Sequence, residues 1–108
     1  MSFFLDVSDE AKARLIKLKK KDQKLAKRIL KKFDVILENP YHFEILTGDL
    51  YDARKAPVGS RYRIVFDIYE KDKSVIILLF GHRDYIYTDT ELFKAFFKSK
   101  KRVRYIDT

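Results

Sequence analysis

Apolar residues in the first forty positions recur at the spacing of one face of an α-helix. Ahead of them, Ser2 to Val7 is typical of a short strand, and Ser8 suits the N-cap of a helix that begins directly afterwards. The apolar stripe runs as far as Pro40, and its members are Ala11, Leu15, Leu18, Leu25, Ile29, Phe33, Ile36 and Leu37. One helix of that length would reach roughly 46 Å, which exceeds the diameter of about 34 Å expected for a domain of this size. The pattern therefore predicts a helical hairpin with a break near Lys20 to Asp22, where Asp22 provides the second N-cap.

Alternation of apolar and polar residues replaces the helical spacing after Pro40 and predicts strands. We expect a loop and short strand over Tyr41 to Asp49, a strand over Leu50 to Ala56, and a turn over Pro57 to Ser60. The clearest alternation lies in Arg61 to Tyr69. One face of that strand carries Tyr62, Ile64, Phe66 and Ile68, and the opposite face carries Arg61, Arg63, Val65, Asp67 and Tyr69.

The last third of the chain predicts a central strand and a final helix. Ser74 to Phe80 is apolar on both faces, follows a polar hairpin loop over Glu70 to Lys73, and ends at Gly81. Thr88 and Glu91 have the spacing of a capping box. The helix that follows has an apolar stripe formed by Leu92, Phe93, Phe96 and Phe97.

This order of elements predicts the α+β class. We expect an N-terminal strand and a helical hairpin packed on an antiparallel sheet of three to four strands, with a C-terminal helix. The length fits a single domain over residues 1–108, in which 89–108 form the last helix and a basic tail. The stripe of the last helix is more often core than partner groove, but its place near the chain end keeps both interpretations open.

Positive charge is concentrated in two blocks. Lys12 to Lys32 holds eleven basic residues and one acid, and Lys94 to Arg104 holds six and none, in a chain of net charge +8. Such segregation is typical of a surface that binds a polyanion, although a solvated helix face gives the same pattern. The lack of cysteine excludes thiolate catalysis and a disulfide scaffold. Asp6 lies where a signal peptide would be basic, and no apolar run is long enough for a bilayer, so we expect a cytoplasmic protein with no membrane partner.

The candidate chemistry lies in cationic and aromatic side chains around the predicted sheet. The two histidines belong to no ligand motif, and no metal site is predicted. The candidates are Arg54, Lys55, Arg61, Arg63, His82, Arg83, Tyr85 and Tyr87. Arg63 lies in mid-strand, where propensity favours Thr or Val. One explanation is a salt bridge to Asp67 or Asp52; the other is an anion site in which Arg63 and Arg83, from neighbouring strands, hold one phosphate.

Five motifs occur in order along residues 2 to 88. They are Ser2-Phe-Phe-Leu-Asp-Val7, Leu37-Glu-Asn-Pro40, Leu46-Thr-Gly-Asp-Leu50, Tyr62-Arg-Ile-Val-Phe66 and Gly81-His-Arg-Asp-Tyr-Ile-Tyr87. In this order and spacing the chain resembles the RelE/ParE toxin superfamily. The arginine-containing strand followed by Gly-His-Arg and a tyrosine is the most specific part. Beyond Thr90 the chain is longer and more basic than many members, and the resemblance implies nothing there.

The resemblance implies a RelE-like fold and the toxin of a type II toxin–antitoxin pair, an mRNA interferase that cleaves mRNA in the ribosomal A site without metal. RelE-type members have arginines at the positions of Arg63 and Arg83, a tyrosine at that of Tyr87, and lysines on the strand that here reads Arg54-Lys55. A related branch uses a glutamate two residues before the leucine of the Leu-x-Gly motif, which corresponds to Glu44. Two candidate bases, Tyr87 and Glu44, are therefore implied, and the sequence does not choose between them.

This set of residues is consistent with RNA cleavage. The 2′-hydroxyl of RNA is the nucleophile, so the protein needs a base, cations for the phosphorane and an acid for the leaving 5′-oxygen. We expect Arg63 and Arg83 to stabilise charge, and nearby cations to lower the pKa of Tyr87. His82 is either the proton donor or a strand-end residue bonded to backbone, and Tyr85 either stacks on a base or packs under the last helix. The other expected RNA contacts are Arg54, Lys55 and Arg61.

Two other functions stay open: a non-enzymatic DNA gyrase inhibitor like the ParE branch, and a non-toxic basic RNA-binding module. A toxin implies a cognate antitoxin, acidic and partly disordered when free, besides the ribosome and mRNA as partners. The antitoxin would either cover the arginines or displace the last helix. In the second mode it would contact Leu92, Phe93, Phe96 and Phe97.

Overall fold

The computed structural model describes residues 2–107, with side chains as far as Lys101. Met1, Thr108 and the side chains of the basic tail beyond Lys101 lie outside the described residues. The helices are α1 (Asp9–Lys21), α2 (Gln23–Glu38) and α3 (Thr90–Asp107). The strands are β1 (Phe4–Val7), β2 (Glu44–Ile45), β3 (Arg54–Val58), β4 (Tyr62–Tyr69) and β5 (Ser74–His82). Short 3₁₀ turns lie at Pro40–His42, Gly48–Leu50 and Ile86–Thr88.

The predicted helical hairpin is confirmed, and side-chain caps define its break. Ser8 Oγ accepts the N–H of Ala11 at 3.0 Å at the start of α1. Asp22 Oδ1 accepts the N–H of Leu25 at 3.1 Å at the start of α2. Each cap satisfies a backbone donor that the first helical turn leaves without a partner. The two helices therefore fold back on each other and present one joint apolar face to the sheet.

The sheet has five strands in the order β1-β5-β4-β3-β2. β2 to β5 are antiparallel, in agreement with the predicted three to four strands, and the N-terminal strand β1 joins the same sheet by parallel pairing with β5. Opposite β4, the register places Val65 against Leu79 but Phe66 against Ile77, so Leu78 is the extra residue of a β-bulge. The carbonyl of Leu78 accepts a hydrogen bond from Ser8 Oγ at 2.6 Å, which ties the start of α1 to β5.

The domain has three layers, as the alternation of β4 predicts. Tyr62, Ile64, Phe66 and Ile68 face the α1–α2 hairpin, in one apolar cluster with the buried residues of both helices. Val65 and Tyr69 face α3 on the opposite side, in a second cluster. The central strand β5 contributes to both clusters. Because α3 covers only part of its side of the sheet, the ends of β2, β3 and β4 remain accessible there.

Charged side chains tie α3 to the layers beneath it. Lys98 Nζ lies 2.9 Å from Oε2 of Glu10. Ser99 Oγ donates to Oδ2 of Asp67 at 2.9 Å, and Lys100 Nζ lies 3.3 Å from the same oxygen. Asp67 is 2% exposed, and burial raises its pKa while Lys100 and Ser99 oppose that rise. The helix is therefore held by ion pairs to buried acids as well as by apolar contacts.

Four predicted boundaries are wrong. β3 begins at Arg54 rather than at Leu50, which lies in a 3₁₀ turn, and β3 continues through Pro57. Proline is tolerated there because β2 pairs with only the first two residues of β3, so the rest is a sheet edge that needs no further N–H. β5 continues one residue past Gly81. The last helix is capped by Asp89, whose Oδ1 accepts the N–H of Glu91 at 2.9 Å, instead of by Thr88.

Across the part of the chain that the structure describes, no helix has the length and apolar character needed to span a membrane.

Candidate active site

A carboxylate and two cations lie in a row across β2, β3 and β4. Glu44 pairs with Lys55 in the β2–β3 register, and Lys55 pairs with Val65 in the β3–β4 register. Paired residues of antiparallel strands share a face, as do residues two apart, so Glu44, Lys55 and Arg63 all lie on the α3 side of the sheet. Lys55 Nζ is 3.5 Å from Oε2 of Glu44, whose side chain is 72% exposed.

These three residues line one open cleft of about 500 Å³. Its remaining wall consists of Lys32, Val35, His42, Phe43 and Pro57. A cleft of this volume admits a nucleotide-sized group. The lining combines a proton acceptor with cations, which is the combination required to deprotonate a hydroxyl and to neutralise a phosphate oxygen.

Tyr87 adjoins this row but differs from the prediction for it. Lys55 Nζ lies 5.8 Å from the centre of its ring, in a cation–π contact. The hydroxyl is buried and has no hydrogen-bond partner among the residues that the structure describes. Burial raises the pKa of Tyr87, Glu44 raises it further, and the charge of Arg63 only partly opposes them. The expectation that cations lower this pKa is therefore wrong, because desolvation of the phenolate outweighs their field.

Arg63 and Arg83 converge, as predicted, across adjoining strands. Nη1 of Arg63 donates to the carbonyl of Ser60 at 3.3 Å and to that of Tyr62 at 2.8 Å. Nη1 of Arg83 donates to the same Ser60 oxygen at 3.2 Å. Arg83 is also 3.5 Å from the exposed Asp84 carboxylate, a pair that water screens. The two guanidinium groups thus lie side by side on one carbonyl oxygen and keep further N–H groups for an anion.

The salt bridges considered for Arg63 do not form. Asp67 and Asp52 both lie 3.3 Å from Nζ of Lys100 and are paired there. Arg63 instead lines the cleft. Its position in mid-strand is therefore not explained by a structural ion pair with either of these acids.

The turn that carries Ser60 depends on Gly59. Its φ of +61° lies in the left-handed region that favours glycine. A Cβ at this position would also collide with the guanidinium of Arg28 on α2. The guanidinium is the far end of a flexible, exposed side chain and can move aside, so the requirement for glycine comes from the shape of the turn.

The other predicted RNA-binding residues occupy different environments. Arg54 turns away from the row and donates to the carbonyls of Tyr41 and Phe43 at 3.3 and 2.8 Å. His82 lies at the end of β5 and accepts the N–H of Asp84 at 3.1 Å, in agreement with the backbone-bonded alternative. Tyr85 is 71% exposed, so it does not pack under the last helix. The exposed Arg61 accepts the N–H of Arg83 on its carbonyl at 2.7 Å.

The predicted apolar stripe of α3 is mostly core. Leu92 and Phe96 are buried in the cluster between α3 and the sheet, and Phe93 packs against that cluster while half-buried. Phe97 is 56% exposed. The four residues named as antitoxin contacts therefore divide into two that hold the domain together and two at its surface.

The sequence reasoning missed Lys32 and His42, which line the same cleft as Glu44. Lys32 belongs to the basic block of α2, where it looks like one more surface lysine. His42 lies two residues before Glu44, a spacing that brings two side chains to one side of an extended segment. That spacing is the signal by which His42 can be found. Among the described residues, no group of three or more His, Cys, Asp or Glu side chains is placed to hold a metal ion.

The basic block of the helical hairpin is mainly solvent-exposed. Its exposed members are Lys12, Lys17, Lys19, Lys20, Lys21, Lys24, Lys27, Arg28 and Lys31. Arg14 differs, because it pairs with Asp89 and Glu91 at 3.1 and 3.3 Å and so links α1 to the start of α3. The exposed cations form a broad positive surface on the outer layer of the domain.

Comparisons with known proteins identify the family of this chain. The family model of the ParE toxin of type II toxin–antitoxin systems matches residues 5–87. The chain is also 40% identical over 80 residues to a protein of Methanocaldococcus jannaschii that bears the name "Putative toxin RelE4", covering 74% of this chain and 85% of that protein. The chain therefore belongs to the ParE toxin family of type II toxin–antitoxin systems, within the RelE/ParE superfamily.

Solved structures agree on the fold. The free form of an E. coli RelE mutant matches with a TM-score of 0.68 at 24% identity and covers 92% of this chain and 98% of its own. The archaeal RelE–RelB complex from Pyrococcus horikoshii matches with a TM-score of 0.60 at 24% identity, over 79% of this chain and 99% of that chain. The RelE-like fold predicted from the sequence is thereby confirmed.

Proposed function

We propose that this toxin is a ribosome-dependent endoribonuclease that cleaves mRNA by attack of the 2′-hydroxyl, without a metal ion. One observation carries the proposal: Glu44, Lys55 and Arg63 line a single open cleft. RNA provides the nucleophile itself, so a base and cations at the scissile phosphate supply the main catalytic requirements.

Glu44 is the base in this proposal. Its carboxylate is exposed to the cleft, so a bound 2′-hydroxyl can approach it directly. Tyr87 is the weaker candidate because its hydroxyl is buried and its pKa is raised, which disfavours phenolate at neutral pH. Tyr87 acts instead as a neutral wall beside Lys55. Its ring favours the position of the ammonium group above it.

Lys55 and Arg63 stabilise the phosphorane. Lys55 carries its charge beside Glu44, and Arg63 presents a planar fork that matches two phosphate oxygens. Arg83 shares the Ser60 carbonyl with Arg63 and adds a second fork at the rim. Of the other predicted RNA contacts, we propose that the exposed Arg61 and Tyr85 contact the substrate chain farther from the scissile phosphate, whereas His82 accepts the N–H of Asp84.

The proposed partners follow from charge and family. The exposed lysines of α1 and α2 suit ribosomal RNA, because each neutralised phosphate releases counterions. This substrate implies a cytoplasmic location. We also propose an acidic antitoxin as cognate partner. It covers the cationic cleft and the exposed Phe97 rather than displacing α3, since displacement would strip Lys98 and Lys100 from the buried Glu10 and Asp67.

The experiment is primer extension on an mRNA translated in a reconstituted system, with and without the purified toxin. Wild type is expected to give discrete cuts within codons. Glu44→Gln is expected to reduce the cleavage rate by about 100-fold or more, as loss of a general base does. Arg63→Ala is expected to reduce it similarly, and Arg63→Lys less, because charge survives while the fork is lost.

Glu70→Gln is the matched control for Glu44→Gln. Glu70 is also exposed and also pairs with a lysine, Lys73 at 3.3 Å, but it lies in the β4–β5 loop away from the cleft. Its variant should cleave like wild type. Full activity of Glu44→Gln, or intact mRNA with the wild-type toxin, contradicts the proposal. Intact mRNA together with blocked DNA supercoiling favours the gyrase inhibitor, and salt-sensitive RNA binding without growth arrest favours the non-toxic module.

A further inference from the structure

We infer that His42 is the general acid that protonates the leaving 5′-oxygen. The inference rests on the proposed function and adds to it a catalytic residue in the same cleft. Glu44 can take the proton of the attacking hydroxyl, but a 5′-alkoxide is a poor leaving group and needs a proton of its own.

His42 and Glu44 enter the cleft from the same side of the chain. Phe43 between them is extended, with φ −89° and ψ 154°. Its ring packs inward against Phe66, with ring centres 5.9 Å apart. In an extended segment, neighbours of an inward residue turn outward together, about 7 Å apart at their Cα atoms. Both His42 and Glu44 are exposed, and both line the cleft with Lys55 and Arg63.

That separation suits an in-line displacement. The attacking and leaving oxygens occupy opposite apices of the phosphorane, so the base and the acid must stand on either side of one phosphorus atom. A carboxylate and an imidazole two residues apart can flank a phosphate held by Lys55 and Arg63. Histidine is also the side chain best suited to exchange a proton near neutral pH.

The segment that carries His42 is fixed in place. Its N–H donates to the carbonyl of Asn39 at 3.2 Å, within the 3₁₀ turn that Pro40 begins. Arg54 donates from one guanidinium nitrogen to the carbonyls of Tyr41 and Phe43, the residues on either side of His42. Arg54 is therefore a positioning residue for the acid, although the sequence suggested contact with RNA.

The other candidate donors fit less well. His82 is not among the described residues that line the cleft, and its Nδ1 accepts the N–H of Asp84. The hydroxyl of Tyr87 is buried. Lys55 already pairs with Glu44. Lys32 also lines the cleft, but a lysine ammonium is a much weaker acid than an imidazolium, so His42 is the cleft residue best suited to this step.

The step balances in atoms and charge. The 2′-hydroxyl gives its proton to the Glu44 carboxylate as the O2′–P bond forms. The P–O5′ bond breaks, its electron pair goes to O5′, and the imidazolium of His42 supplies the proton. The products are a 2′,3′-cyclic phosphate and a 5′-hydroxyl. Water then exchanges protons with both side chains and restores them.

The test compares two mRNAs that differ at the scissile linkage alone. One has the natural 5′-oxygen, and the other has sulfur in its place. A thiolate leaves without protonation because thiols are far stronger acids than alcohols. His42→Gln is expected to slow cleavage of the natural linkage by about 100-fold or more and that of the sulfur linkage by less than about fivefold.

The same two substrates identify each alternative. Arg54→Ala should slow the natural linkage more than the sulfur linkage if it positions the acid, and Arg54→Lys should restore part of that loss. His82→Gln is expected to keep the wild-type ratio of the two rates. The inference is overturned if His42→Gln slows cleavage of both linkages equally. It is also overturned if His82→Gln slows the natural linkage but not the sulfur linkage. In both cases wild type still cleaves, so the proposed function stands. Absence of cleavage by wild type on both linkages overturns the proposed function itself.

Discussion

The ion pair between Lys100 and Asp67 gives a quantitative test of how α3 is held. The perturbation is Lys100→Met, which keeps an apolar stem but removes the ammonium group, whose Nζ also lies 5.2 Å from the centre of the Phe96 ring. Lys100 Nζ is 3.3 Å from a carboxylate oxygen of Asp67, which is 2% exposed. The variant therefore leaves a buried acid with Ser99 as its remaining donor from α3.

The magnitude follows from distance and burial. Two unit charges 3.3 Å apart attract each other by about 5 kcal/mol at an effective dielectric constant of 20. Desolvation of the amine offsets part of this, and the bond from Ser99 survives. We expect the free energy of unfolding at neutral pH to fall by about 2 to 3 kcal/mol, below the range for breaking fully buried pairs.

The loss should depend on pH in a defined direction. Burial raises the pKa of Asp67 in the folded state, so its contribution to stability is greatest below its ordinary pKa and is lost as pH rises through the folded value. Lys100 opposes that rise, so its removal raises the folded pKa further. The deficit of Lys100→Met should therefore be largest at neutral pH and shrink as the pH falls toward 4.

The assay is urea denaturation across pH, in a double-mutant cycle with Asp67→Asn. Lys73→Met is the matched control, since Lys73 lies at the same 3.3 Å from Glu70 but both side chains are exposed. That control should lose less than about 1 kcal/mol. A coupling between Lys100 and Asp67 below about 0.5 kcal/mol, or a deficit that does not change with pH, refutes the reasoning.

Three further predictions concern single residues. Tyr87→Phe removes a buried hydroxyl that has no partner among the described residues, so thermal denaturation should show unchanged or higher stability. The rate of mRNA cleavage should stay within about tenfold of wild type. A loss of rate as large as that of Glu44→Gln would restore Tyr87 as the base. Gly59→Ala and Gly48→Ala should both lower the denaturation midpoint, and by similar amounts, because both positions have positive φ and the exposed Arg28 guanidinium can move away from a Cβ at position 59. A much larger loss in Gly59→Ala that Arg28→Ala removes would contradict this. In urea denaturation, Ser8→Ala should lower the free energy of unfolding by about 2 kcal/mol and Asp22→Ala by about 1 kcal/mol. The difference is expected because Ser8 caps α1 and also donates to the carbonyl of Leu78 in the bulge, whereas Asp22 only caps α2. Equal losses would mean that the bond to Leu78 contributes nothing.

Local patterns in the sequence predict much of the fold. The break before α2 follows from Asp22, and the two faces of β4 follow from strict alternation in Tyr62–Tyr69. The parallel pairing of β1 with β5 is not predictable in this way, because it joins residues about seventy positions apart. The place of β1 in the sheet therefore could not be read from local spacing.

The candidate site was also only partly predictable from the sequence. Arg63 and Arg83 were predicted to meet, and both donate to the Ser60 carbonyl, while their roles stay predictions. That Glu44 lines one cleft with Lys55 and Arg63 was not predicted. The pKa of Tyr87 was predicted in the wrong direction because burial is a property of the packed domain, whereas neighbouring charges can be guessed from sequence. Arg54 was predicted to contact RNA, but it donates to the backbone carbonyls of Tyr41 and Phe43. Every residue has such a carbonyl, so the identities of the residues do not reveal this contact.

The oxygen that brings Arg63 and Arg83 together belongs to the main chain at Ser60. Replacement of the serine side chain leaves this acceptor in place, so an alanine scan would score position 60 as silent. The spacing of the two guanidinium groups is set by the path of the backbone, and natural sequences can vary freely at 60 while keeping it. Chemical exchange of the amide that follows for an ester would weaken the acceptor directly, and would reveal a dependence that side-chain genetics does not register.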